Sequence, residues 1–156
     1  MEIERKFLVK DLPANLDSYP HSRLTQSYIS RTPVIRLRKI EKMNETSYVL
    51  TVKSGGLAVR QEFEIPLQKV EYERLFQKVE GRVLQKVRYL IPLEDGYTAE
   101  LDRFEGELSG LLLVEVEFPT VEAMNAFKAP NWFGEDVSES AKYHNSVLSN
   151  GGNDGR

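Results

Sequence analysis

Apolar and polar residues alternate with a period of two through much of the chain, in short stretches separated by turn-forming clusters. Side chains two apart on a strand share a face, so this alternation predicts half-buried strands. Eight such stretches are read, at about 2–9, 23–30, 34–41, 47–54, 59–66, 82–91, 97–104 and 111–118. Three others have helical spacing. Residues 68–79 set Val70, Leu75, Phe76 and Val79 on one side and end before Gly81, a stop signal. Residues 120–128 open on Thr120, an N-cap type, and 138–149 open on Ser138 and Glu139 and carry Tyr143, Val147 and Leu148. Pro13, Pro20, Pro33, Pro66, Pro92 and Pro119 fall at the boundaries, where a missing N–H does least harm. The pattern predicts an α+β chain, mainly β: a closed eight-stranded antiparallel barrel with about three helices packed outside. It forms one domain over 1–149, and the polar, glycine-rich 150–156 is expected to be a flexible tail.

The polar positions on these strands are mostly ionic, and they recur in same-face sets. Glu2, Glu4 and Lys6 share a face; so do Arg36 and Arg38, then Arg60, Glu62 and Glu64. Lys53 follows Thr51, Lys86 pairs with Arg88, Glu100 with Asp102, and Glu115 with Glu117. The opposite faces carry Ile3 and Phe7, Ile35 and Leu37, Leu50 and Val52, Phe63 and Ile65, Val87 and Tyr89, and Val114, Val116 and Phe118, so those faces must be buried. A single Glu-x-Glu on a strand is ordinarily a solvated face. The full series differs, because acids sit with acids and bases with bases, so neighbours repel unless a counter-ligand holds them. Turned inward, the sets bring eight carboxylates and seven cations to one lumen. Buried ions cost several kcal/mol each when uncompensated, so such a lumen is a site and not a stability device.

Composition narrows the chemistry. The 156 residues include no cysteine, which excludes disulfides, thiolate catalysis and cysteine-rich zinc sites. A net charge of −3 disfavours nucleic acid as a partner, no apolar run is long enough to cross a membrane, and the charged N-terminus is unlike a secretory signal. A cytoplasmic protein, monomer or homodimer, is expected. His21 and His144 are the only histidines, in unrelated settings, and are read as surface or packing residues. No phosphate-binding glycine loop occurs; Gly55-Gly56 reads as a hairpin turn. Carboxylates without thiols or clustered histidines favour Mg²⁺ or Mn²⁺, with two ions able to orient a substrate and activate water. Arg36, Arg38, Lys53, Lys86 and Arg88 suit a chain of phosphates, a small-molecule polyphosphate.

The stretch Glu2-Ile3-Glu4-Arg5-Lys6 resembles the Glu-x-Glu-x-Lys signature of the CYTH, or triphosphate tunnel metalloenzyme, superfamily. The likeness continues in order through Ile35-Arg36-Leu37-Arg38, Leu50-Thr51-Val52-Lys53, Arg60-Gln61-Glu62-Phe63-Glu64, Lys86-Val87-Arg88, Glu100-Leu101-Asp102 and Val114-Glu115-Val116-Glu117. The short length and Asn131-Trp132-Phe133-Gly134-Glu135-Asp136-Val137 are similar to the small bacterial members. The resemblance implies Glu2, Glu4, Glu115 and Glu117 as metal-site carboxylates, with Glu62, Glu64, Glu100 and Asp102 as further candidates. It implies Lys6, Arg36, Arg38, Lys53, Arg60, Lys86, Arg88 and Lys142 as phosphate binders, and Glu2, Glu4, Lys86 and Glu117 as catalytic. Gln26 and Tyr28 match a lumen-facing strand. Where the family often has Arg-Tyr-Ser-Asn, this chain has Lys142-Tyr143-His144-Asn145. The expected activity is metal-dependent hydrolysis of tripolyphosphate. Adenylate cyclase, thiamine triphosphatase and a non-catalytic polyphosphate-binding module stand as alternatives.

Overall fold

The computed structural model describes residues 1–149, and the expected flexible tail at 150–156 lies outside the described residues. Alternation becomes strand at every predicted place. The strands are β1 (Glu2–Val9), β2 (His21–Arg31), β3 (Val34–Lys42), β4 (Glu45–Lys53), β5 (Val59–Arg60), β6 (Glu62–Leu67), β7 (Glu80–Pro92), β8 (Thr98–Phe104), β9 (Leu112–Glu117) and β10 (Phe133–Asp136). All pairings are antiparallel, and the path runs β10-β1-β9-β8-β7-β2-β3-β4-β6. The predicted strand 59–66 is broken at Gln61. Its second part, β6, pairs with β4, and its first part, β5, pairs with the start of β1 at Glu2↔Arg60 and Ile3↔Val59. Counted as one bent strand, β5 and β6 close the ring at eight.

The remaining strand, β10, lies on β1 beyond β5, with Phe7↔Asp136 and Val9↔Phe133 in register. Gly134 belongs there because a Cβ would stand 3.1 Å from Leu8 O.

The helices are shorter than the periodicity suggests. α1 (Lys69–Phe76) starts in a capping box in which Gln68 N–H donates to Glu71 Oε1 at 2.8 Å. α2 (Val121–Ala126) is capped by Thr120 Oγ1, which accepts from Ala123 N–H. The third expected helix, 138–149, is not continuous. A 3-10 turn over Ala141–Tyr143 is followed by His144 in extended conformation and then by α3 (Asn145–Leu148). Gly81, expected as a helix stop, lies inside β7 with φ 70, where an added Cβ would stand 2.6 Å from Ser149 O. The missing side chain lets the C-terminal segment dock, with Arg82 N–H donating to that same carbonyl at 2.8 Å.

The outer apolar faces are buried unevenly. On β1, β7, β8 and β9, Phe7, Tyr89, Ile91, Ala99, Leu101, Val114 and Val116 pack under Phe118, Phe127 and Phe133. Those aromatic rings meet mostly at tilted or edge-on angles, Phe7 and Phe133 at 4.9 Å between centroids. On the far side, α1 covers only part of the sheet, through Tyr72 packed at a tilt on Tyr48, 4.8 Å between ring centroids. Phe63 is 62% and Ile65 39% exposed, so the expected burial of that face fails on β6.

The inner face changes character along its length. Beyond the charges it becomes apolar, through Leu8, Leu84, Phe104 and Leu113, which pack with Val137 and Leu148 of the C-terminal segment. This cluster closes one end of the tunnel.

Candidate active site

Above that apolar floor is a cavity of about 170 Å³. Its wall brings together Glu2, Glu4 and Lys6 from β1, Arg36 and Arg38 from β3, Lys53 from β4, Arg60 from β5, and Glu62 and Glu64 from β6. Arg88, Glu100, Glu115 and Glu117 complete the charged set from β7, β8 and β9. The strands' period of two puts them there, and antiparallel register sets the neighbours: Glu4 beside Glu117, Lys6 beside Glu115, Glu100 beside Glu115, Lys53 beside Glu62.

Carboxylate oxygens of Glu2, Glu4 and Glu117 lie within 4.8 Å of one another. Such crowding is costly, and the proton affinities report it. Burial and then Glu115 push the Glu4 carboxyl well above its ordinary range, and burial followed by Glu100 and Glu2 raises Glu117. Burial also raises Glu100 and Glu62. Glu115 goes the other way: burial opposes its charge, but Lys6, a hydrogen bond shared with Glu4, and Arg88 hold it well below the usual value. Hard oxygen donors gathered this way suit Mg²⁺ or Mn²⁺ better than a softer metal.

The cations are held in two manners. Lys53 Nζ donates to both carboxylate oxygens of Glu2, at 2.9 and 3.0 Å, and Lys6 Nζ stands 3.5 Å from Glu115 while donating to Tyr143 O at 3.1 Å. Arg88 grips Asp102 through two bonds of 2.8 and 2.9 Å. Arg36 and Arg38, in contrast, have no carboxylate within ion-pair distance among the described residues. Arg36 donates to Thr51 Oγ1 at 3.3 Å and Arg38 to Gln26 Oε1 at 3.0 Å. Burial, then Arg36 and Arg88, lower the Arg38 guanidinium to about 9.

Three of the predicted residues are not in the wall. Lys86 is fully buried behind it, 2.7 Å from Asp102 Oδ2 and 3.2 Å from Asn145 Oδ1, and burial lowers its ammonium to about 7. Asp102 is equally buried, committed to Lys86 and Arg88, and ionised. Lys142 stands on the C-terminal segment with its ammonium 5.2 Å over the Tyr143 ring, away from the cavity.

No family model matches this chain. It is similar to the inorganic triphosphatase of Nitrosomonas europaea, 44% identical over 148 residues that cover 94% of this chain and 95% of that protein. It is 34% identical over 151 residues to the inorganic triphosphatase of Acetivibrio thermocellus, covering 94% of this chain and 92% of the relative. The chain belongs to the inorganic triphosphatase family. A crystal structure of an inorganic triphosphatase aligns with it at a TM-score of 0.69 and 42% identity, over 96% of this chain and 95% of that one.

The wall of this inorganic triphosphatase-family chain holds more than the charged repeats. Tyr28 and Val34 line the cavity, and so do Asn145 and Ser146, brought in from α3. Tyr28 was legible on a lumen-facing strand. Asn145 and Ser146 were not, because they sit in a short helix after a chain reversal that no alternation marks. His144, which the sequence leaves as a surface or packing residue, is buried at 5% exposure and touches Arg60.

Proposed function

We propose that this chain is a small bacterial member of the CYTH, or triphosphate tunnel metalloenzyme, superfamily that hydrolyses inorganic tripolyphosphate with Mg²⁺ or Mn²⁺. One observation carries the reading: Glu2, Glu4 and Glu117 converge in a blind, charge-lined cavity that also holds guanidinium groups without carboxylate partners. Glu2, Glu4 and Glu117 would hold one ion; Glu62, Glu64 and Glu100 are available to a second. Asp102 does not fit that role, since Lys86 and Arg88 already saturate it. A bound divalent ion supplies charge neutralisation on phosphate oxygens and a lowered pKa for the attacking water.

The protein side of the reaction is positioning and electrostatics. Arg36 and Arg38 present planar forks to phosphoryl oxygens, and Thr51 and Gln26 fix their orientation without cancelling their charge. Lys6, Lys53, Arg60 and Arg88 complete the cationic surround. Glu115, ionised beside Lys6, holds that ammonium in place. Lys86 braces the wall from behind through Asp102.

A nucleotide cyclase would also need a pocket for a base, and only Val34 and Tyr28 in the cavity wall are apolar or aromatic. The substrate is therefore a bare polyphosphate.

Phosphate release from tripolyphosphate, ATP and thiamine triphosphate, each with Mg²⁺, Mn²⁺ or excess chelator, tests the reading. The expected result is turnover of tripolyphosphate only with metal, falling about a thousandfold, equivalent to about 4 kcal/mol, in Glu4→Ala and in Glu117→Ala. Full turnover in chelator would sink the metal assignment, and equal rates on ATP would sink the substrate.

A further inference from the structure

His144 occupies a position that packing alone does not explain. It sits in extended conformation (φ −74, ψ 140) between the 3-10 turn and α3, and its ring stays behind the cavity wall while Asn145 and Ser146 reach it. Its Nδ1 is 3.2 Å from Arg60 Nη2, and its Nε2 is 3.5 Å from Ser138 O. A guanidinium can only donate, so Nδ1 must be the bare nitrogen, with the ring proton on Nε2 facing the Ser138 carbonyl. Burial, then the charges of Lys6 and Arg60, lower the imidazole to about 4, so it is neutral near pH 7.

Arg60 needs such an anchor. It stands on a two-residue strand and belongs to the cavity wall. Its nearest carboxylate, Glu2, is at 4.0 Å and is already held by two hydrogen bonds from Lys53. Its Nε has no hydrogen-bond partner among the described residues.

We infer that His144 is a positioning residue for Arg60: the neutral ring takes one guanidinium N–H and thereby aims the remaining donors at a phosphoryl group of the substrate. The inference rests on the tripolyphosphate reading above. It makes the C-terminal segment part of the affinity for substrate, through a side chain that touches none of it.

The test is a mutant cycle on the full chain with tripolyphosphate and Mg²⁺. His144→Leu, which removes the acceptor, is expected to raise KM about tenfold while kcat stays within about twofold. His144→Asn, whose amide oxygen falls near the Nδ1 position, should bring KM back to within about threefold of wild type. Arg60→Ala raises KM as well, and Arg60→Ala/His144→Leu should be no worse than Arg60→Ala alone, because both remove the same contact. Effects that multiply, or an unchanged KM in His144→Leu, would overturn the inference. So would His144→Asn behaving like His144→Leu. A second measurement needs no variant and no substrate: nitrogen-15 spectra of the wild-type imidazoles at pH 7 should show His144 with Nδ1 unprotonated and Nε2 protonated. A proton on Nδ1 would overturn the inference even if every variant failed to fold. A wild-type protein that shows this tautomer but does not turn over tripolyphosphate would defeat the activity reading and not the contact.

Discussion

Arg36-Leu37-Arg38 on β3 and Lys86-Val87-Arg88 on β7 look interchangeable in the sequence, two inward cations around one outward apolar residue. The fold treats them differently. On β7, Lys86 and Arg88 share Asp102 of β8, at 2.7 and 2.8 Å, so each has a carboxylate partner inside the protein. On β3, the partners of Arg36 and Arg38 are a threonine hydroxyl and a glutamine carbonyl, which orient a guanidinium without neutralising it. Three strands lie between β3 and β9 whichever way the ring is followed, with β5 and β6 counted as one, so these guanidiniums face Glu115 and Glu117 across the tunnel. The β7 pair is held by a carboxylate, with Arg88 still in the cavity wall, and the β3 pair is open to an anion.

The largest effect expected from this contrast comes from removing the shared carboxylate on the β7 side. Asp102→Ala leaves the fully buried Lys86 without a carboxylate partner and takes from Arg88 its two short bonds, and truncating one partner of a buried ion pair costs about 3–5 kcal/mol. Denaturant unfolding should show that loss directly. An Asp102→Ala protein as stable as wild type would mean that the β7 cations do not depend on Asp102, and the comparison would collapse.

Arg38→Met on the β3 side should do the reverse. It removes a half-buried charge that no carboxylate balances, so stability should change by less than about 1 kcal/mol, in either direction. Each charge-assisted bond to phosphate contributes about 1.5–3 kcal/mol, which predicts a rise in KM for tripolyphosphate of roughly tenfold to a hundredfold. Steady-state kinetics beside an unfolding curve separates the two quantities. A large stability loss with an unchanged KM would reverse the roles assigned to the two strands.

That the two pairs look alike before folding shows how far a sequence carries. Face is legible, because a period of two leaves no freedom: every inward position from Glu2 to Glu117 could be assigned by counting. Depth along the tunnel is not. The same faces that carry Glu4, Lys86 and Glu115 also carry Leu8, Leu84 and Leu113, and only the ring's closure shows that these residues form a floor. Partner choice is equally hidden, since the register of β7 with β8 sets Asp102 opposite Arg88 and Lys86 reaches it on the diagonal. β10 escaped because four residues around Gly134 show no alternation, and the helix expected at 138–149 is interrupted at His144, which is extended and touches Arg60. The residues missed, Asn145, Ser146 and His144, all belong to that one segment.

A third ion pair, outside the tunnel, extends the comparison to solvent. Arg5 points outward from β1 and donates to Asp136 Oδ2 at 2.9 and 3.0 Å, while Asp136 Oδ1 accepts from Ser138 N–H at 2.8 Å and from Ser138 Oγ at 2.6 Å. The Asp136 side chain is 39% exposed, so water screens the pair, and the contribution expected is about 1 kcal/mol, well below that of Asp102. Burial opposes the charge, but the bonds from Ser138 and then Arg5 hold the carboxyl below its ordinary value. A depressed folded-state pKa gives stability that is present above the unfolded value, about 3.9, and is lost as pH falls through the folded one. Asp136→Asn should therefore unfold more easily than wild type at pH 7, and the gap between the two denaturation curves should narrow below about pH 4. Tripolyphosphate turnover should follow wild type, because Asp136 lies on the outer face of the β1–β10 pair. A gap that widens in acid would show that the carboxylate is stabilised by something other than these donors.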